Sequence, residues 1–371
     1  MTKLKHYFSG QRARYLITLG IAVIAALSLG AVIMLITGHD PISSYGALFG
    51  GALGSLRSIG NVGAKAVTLT MTGLAMAVAA QAGMFNVGGE GQLFMGAMAS
   101  AIVGVWLKGL PAFIVIPCAI LAAILAGGAF AYVPARLKTR LGVNEVITTI
   151  MLNSVAILFC SFLANGPLKT DESGIAAGTQ QLDPVYRFTK LVPLSNVTTS
   201  IFIAAAIAFV IWYLMRRSVQ GYEMKMTGQN KQFALFMGMP TEKHAEVSMI
   251  ISGALCGIVG MFEVYGIHGR FIETVSNEFY FDGMLVAMIM RYQPVGIMLM
   301  SIFFAILNIG SAAMEARVGV SKELIFIVQS IIIFFMAAEP GITASINKKR
   351  VEISARKKIH EKKDRGGECD A

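Results

Sequence analysis

Long apolar runs separated by short polar stretches recur along the chain. Ten read as candidate spans: residues 15–36, 63–80, 92–107, 111–134, 143–165, 199–215, 245–265, 280–290, 294–314 and 323–338. About 20 apolar residues are enough to cross a bilayer as a helix. The eighth run is too short for a full crossing by itself and is expected as a tilted, broken or re-entrant segment. The pattern predicts an all-α, polytopic integral membrane protein with about ten transmembrane helices, some of them broken or re-entrant. The first run, Tyr15 to Ile36, follows a basic opening and is too long for the apolar core of a cleavable signal, so it is expected as the first transmembrane helix.

Composition agrees. Of 371 residues 55% are hydrophobic and 14% charged, whereas soluble domains carry about 25% charged residues. The net charge of +10 raises the question of nucleic acid, and the placement of the charges answers it. With the N-terminus inside, residues 1–14, 136–140, 216–243, 291 and 348–365 all fall inside and hold 22 of the 31 lysines and arginines. That excess predicts both termini on the cytoplasmic side and leaves no need for nucleic acid. The tail "KKRVEISARKKIHEKKDRGGECDA" reads as a solvated segment close to anionic membrane lipid. The expected organisation is a cytoplasmic segment 1–14, a membrane domain 15–340 and a basic cytoplasmic tail 341–371. Cys118, Cys160 and Cys256 fall in apolar runs and Cys369 in the tail, without metal-type spacing; they read as small buried thiols.

Two polar stretches stand out. Residues 166–198, expected outside, either dock a partner or merely link two helices. Residues 216–244, expected inside, contain "NKQFALFMGM", long enough for about two helical turns between Gly228 and Gly238. Such a short, partly apolar helix is either a docking knob or an interfacial helix lying on lipid.

Chemistry-bearing residues are few. "QAGMFNVGGEGQ" (81–92) is glycine-rich, but Gly91 is followed by Gln92 and Leu93 instead of the Lys and Ser or Thr of a phosphate-binding loop. No hydrolase or kinase motif appears, so no catalytic residue, metal site or cofactor is expected, and the chain does not read as an enzyme. Polar groups within apolar runs usually face a cavity or a partner. Here these are Asn86, Glu90 and Gln92, then Asn144, Glu145 and Asn153 in "LGVNEVITTIMLN", then Glu263 and Gln329. Each either hydrogen-bonds a polar solute along a path or cross-links and caps helices. Glycine breaks are tolerated where the backbone lines protein or a water-filled cavity, and 81–92 is expected as such a break. A channel, a secondary transporter and an ABC permease all remain open at this point.

Four motifs narrow the choice. "AGMFNVGGEGQ" resembles the signature of bacterial ABC importer permeases related to ribose and branched-chain amino-acid permeases. "GYEMKMTGQNKQFALFMGM" is similar to their cytoplasmic segment, and "FDGMLVAMIMRYQPVGI" to a later glycine- and proline-containing one. "LGVNEVITTIMLN" resembles the subgroup that imports nucleosides with a membrane-anchored binding lipoprotein. The resemblance covers about residues 60–340. It implies a second, non-identical permease subunit, a cytoplasmic ATP-binding subunit that carries out hydrolysis, and an extracellular substrate-binding lipoprotein. It also implies that 216–244 is the ATPase-coupling segment, with Gly228, Asn230, Ala234 and Gly238 at its motif positions. Phe233, Met239, Met290 and Arg291 depart from the commonest family residues. A permease for a simple sugar such as ribose is the alternative within the class. An ion-coupled carrier using Glu90 or Glu263, and a membrane scaffold, are the alternatives outside it.

Overall fold

The computed structural model describes residues 2–169, 178–321 and 323–335. The chain divides into two compact units, residues 1–44 with 320–371, and residues 45–319.

In the first unit, α1 (Thr2–Ile36) contains the apolar stretch Thr18–Ile36. After it, the carboxylate of Asp40 accepts the backbone N–H of Ser43 at 2.9 Å and of Ile42 at 3.3 Å. That side chain, followed by Pro41, starts α2 (Pro41–Leu53) in the way polar caps and first-turn prolines do. Hydropathy had assigned no element here. The unit boundary falls within α2. The last apolar run forms a helix over Glu323–Phe335, on which Gln329 is buried; the expected tail, 341–371, lies outside the described residues.

In the second unit, α3 (Leu56–Gln81), α4 (Gly89–Trp106), α5 (Ala112–Leu141) and α6 (Glu145–Asn165) precede a single 3₁₀ turn, Pro184–Tyr186. Then come α7 (Ser200–Arg217), two short helices α8 (Val219–Gln229) and α9 (Lys231–Phe236), and α10 (Thr241–Phe262). α10 continues into a π-turn, Glu263–His268, and is followed by α11 (Phe279–Ile289) and α12 (Pro294–Val318). Among the described residues no strand forms, only isolated bridges such as Lys190–Thr198.

Burial sorts these helices. α3 and α10 are mostly enclosed, while α5, α6 and α7 turn most of their surface outward. Those outer surfaces carry Phe113, Leu125, Leu158, Phe162 and Phe209, all exposed, as helices facing hydrocarbon require. The protein is a multi-pass membrane protein. Among the described residues seven helices, not ten, have the length and hydropathy of a crossing. α4 falls short because its first turn is Gly-Glu-Gly-Gln, and α11 because it spans only 11 residues.

α4, α5 and α10 pack together through small residues. A side chain at Gly96 would run into the backbone of Gly257, and one at Gly127 into the carbonyl of Gly253. With lipid as solvent there is little hydrophobic drive between helices, so close backbone approach supplies the packing energy.

Candidate functional site

α3 ends where Gly83 takes a left-handed conformation, φ +77°, which costs glycine little. The chain then runs without helix through residues 84–87 and re-enters at α4. Polar side chains fill this break. Asn86 Nδ2 donates to Gln92 Oε1 at 2.9 Å and to Ser252 Oγ on α10 at 2.8 Å. Its Oδ1 accepts from Gln92 Nε2 and from the N–H of Gly88, both at 3.0 Å. Asn153, from α6, accepts the Gly91 N–H at 2.8 Å and donates to the Val87 carbonyl at 2.9 Å. From α11, the hydroxyl of Tyr280 donates to the Asn86 carbonyl, while its backbone N–H donates to Glu90 Oε2 at 3.1 Å. Gly89 lies flat against the Tyr280 ring, where any side chain would overlap it.

Such buried groups are stabilising only when paired. The break therefore joins α4, α6, α10 and α11 at one place, and Glu90 faces the positive end of the α4 dipole. Asn86, Glu90, Gln92 and Asn153 are brought together, with Asn86, Gln92 and Asn153 bonded to protein on both their oxygen and nitrogen atoms. Asn144 and Glu145 lie elsewhere. Asn144 Oδ1 caps α6 by accepting from the Val146 N–H at 2.9 Å, and Glu145 pairs with Lys138 at 2.8 Å.

Glu263 belongs to a different place. The π-turn that ends α10 sets its buried carboxylate against α3, where Oε1 accepts from Thr68 Oγ1 at 3.0 Å. It lines a narrow cleft, open at its mouth, together with Thr68, Asn196, Thr198 and Ser200. One helical turn before Thr68, Lys65 Nζ lies 3.8 Å from Asp282 Oδ2 and 3.8 Å from the centre of the Phe279 ring. Asn308 on α12 donates to the same Asp282 oxygen at 3.4 Å. Sequence reading missed Lys65 and Asp282. A lysine and an aspartate inside two apolar runs were the available signal.

At the opposite end of α3, Gln81 Nε2 donates to the carbonyl of Gly221 on α8 at 3.2 Å and to that of Met215 at 3.4 Å. Gly228 abuts the same end so closely that a side chain would strike the Gln81 carbonyl. Asn230 then caps α9, its Oδ1 accepting from the Phe233 N–H at 3.0 Å. Ala234 is fully buried, whereas Phe236 is 92% exposed and Leu235, Met237 and Phe233 are also exposed. Gly238, at φ +76°, turns the chain into α10. A contact of 2.9 Å between Glu223 Oε2 and His244 Nε2 ties α8 to α10. The four motif glycine, asparagine and alanine positions thus form one cap-and-turn unit with an apolar knob at its tip.

An apolar helical bundle, broken by a polar bracket and carrying an apolar knob between two membrane helices, defines a polytopic membrane protein. Comparison with known proteins specifies the family: the chain belongs to the permease family described as branched-chain amino acid transport system / permease component, whose profile matches residues 58–337. It is 32% identical over 335 residues to the guanosine ABC transporter permease protein NupP of Bacillus subtilis, covering 90% of this chain and 96% of that one. It is 30% identical to the nucleoside ABC transporter permease protein NupB of Lactococcus lactis, over 86% and 90% of the two chains. It is 31% identical to the glucose ABC transporter permease protein TsgB13 of Haloferax volcanii, over 85% of each. No solved structure matches the chain. The protein is a permease component.

Proposed function

We propose that this chain is a transmembrane permease subunit of an ATP-driven nucleoside importer. The carrying observation is near-full-length similarity to the guanosine and nucleoside permeases named above. The nucleoside permease NupC of the same Lactococcus lactis is also similar, at 24% identity, which supports pairing with a second, non-identical permease. A cytoplasmic ATPase docks on α9, through Phe236 and its exposed neighbours. An extracellular binding lipoprotein delivers the solute. Both termini are cytoplasmic, which puts α9 on the ATPase side and the 178–199 segment outside.

The glucose permease relative supports one second reading, import of a simple sugar. The relatives reported above are all ABC permeases, which favours ATP drive over ion coupling. Uptake of labelled uridine and guanosine by cells with and without the chain distinguishes these readings. Nucleoside uptake that disappears on deletion, resists excess ribose and stops on ATP depletion supports the proposal. Normal nucleoside uptake without the chain, in a strain lacking redundant carriers, would overturn it.

A further inference from the structure

α7 ends on two exposed arginines, Arg216 and Arg217. Among the described residues neither makes an ion pair. No carboxylate occurs from Ser200 to Tyr222, and Glu223, the next along the chain, faces His244 at 2.9 Å. The C-terminal dipole of α7 offsets only about half a unit charge, so most of the positive charge here has no counter-charge in the protein. Arg216 is nonetheless held in place: its Nη2 donates to Oε1 of Gln293 at 2.7 Å. Gln293 stands in the turn between α11 and α12, just after two non-glycine residues in left-handed conformations, Arg291 at φ +49° and Tyr292 at φ +59°. Such backbone strain is found at ligand clamps and switch regions.

The surroundings select the occupant. Phe209, Tyr213 and Arg217 recur four residues apart, which places them on one face of α7. Both aromatic residues are exposed, as are Val295 and Leu299 on the first turns of α12, which touches α7. The arginines therefore crown an apolar surface that faces hydrocarbon, at the depth of lipid headgroups. A free anion would use only the charges. An anionic phospholipid uses both parts, its phosphate on the guanidinium forks and its acyl chains along the apolar stripe.

We propose that Arg216 and Arg217 hold the headgroup phosphate of an anionic phospholipid, with its chains lying over α7 and α12. Its assignment to the inner leaflet, where anionic lipid gathers, rests on the orientation proposed above. The test offers the purified complete importer equal amounts of phosphatidylglycerol and phosphatidylcholine of matched chains. Retained lipid is counted by native mass spectrometry. Wild type is expected to prefer phosphatidylglycerol. Arg217→Gln is expected to reduce that preference about fivefold, and the double variant with Arg216→Gln about twenty-five-fold. Gln293→Glu keeps both arginines but gives Arg216 a counter-charge, and is also expected to cost about fivefold. Arg140→Gln, at an exposed arginine ending α5, is expected to change nothing. Should the double variant fail to assemble, Arg217→Gln and Gln293→Glu decide. No lipid preference in wild type, or a double variant within about twofold of it, would overturn the site. An equal loss in Arg140→Gln would reduce it to diffuse attraction, and displacement of the lipid by inorganic phosphate would reassign it to a free anion. The readout needs no transport, so failure of the nucleoside reading would leave it standing.

Discussion

The backbone amide of Gly91 donates to the side-chain oxygen of Asn153 at 2.8 Å, and the nitrogen of the same side chain returns to the Val87 carbonyl at 2.9 Å. One asparagine on α6 thus satisfies both sides of the break that precedes α4. Val87, Gly91 and Asn153 are all buried, so neither backbone group has a ready substitute in water. Asn153→Leu is expected to strand both, at about 1–3 kcal/mol each. The check is thermal stability of the purified protein in detergent; an unchanged melting temperature would show that the bracket does not hold the bundle together.

Lys65 and Asp282 share a nearly buried site with Phe279 and Asn308. Removing one charge leaves the other uncompensated, which in buried pairs costs about 3–5 kcal/mol. Lys65→Met and Asp282→Leu are each expected to lower stability, and the double variant to recover most of the loss. Additive losses in that double-mutant cycle would mean that the pair is not coupled.

Phe236 contributes to no core, being 92% exposed. Phe236→Asp is therefore expected to leave folding within about 0.5 kcal/mol of wild type while weakening co-purification of the ATPase at least about tenfold, as loss of an apolar anchor does. Gly238→Asp adds a strained left-handed residue, at about 1–2 kcal/mol, and a charge at the docking turn. Undiminished co-purification with both variants would remove α9 from coupling.

Gly228 offers a complementary variant. Its contact with the Gln81 carbonyl leaves no room for a side chain, and overpacking typically costs about 1–3 kcal/mol. Gly228→Val leaves the exposed face of α9 intact but pushes α8 from the end of α3. Expected is retained ATPase association with uptake reduced about tenfold or more. Equal loss of both would place Gly228 in docking itself.

The apolar runs made most of the membrane helices legible, and the polar residues of "QAGMFNVGGEGQ" marked the break before any coordinates. Its partners were not legible. Ser252 and Tyr280 stand 166 and 194 residues from Asn86, and nothing local distinguishes them from other polar residues in apolar runs. α2 was missed because its start depends on a cap at Asp40 more than on a long apolar run. Lys65 was passed over for a related reason: a lysine near a predicted helix end resembles a solvated flank, and only the arrival of Asp282 from α11 shows otherwise. Glu263 was visible as a charge in an apolar run, but the π-turn that aims it has no simple sequence signature.

The most direct measurement is accumulation of labelled uridine and guanosine in proteoliposomes holding this chain, its partner permease, the ATPase and the binding lipoprotein. ATP supplied on the α9 face is expected to drive nucleoside accumulation that excess ribose or glucose does not suppress. Accumulation of sugar alone, or nucleoside movement that ignores ATP and follows an ion gradient, would contradict the assignment.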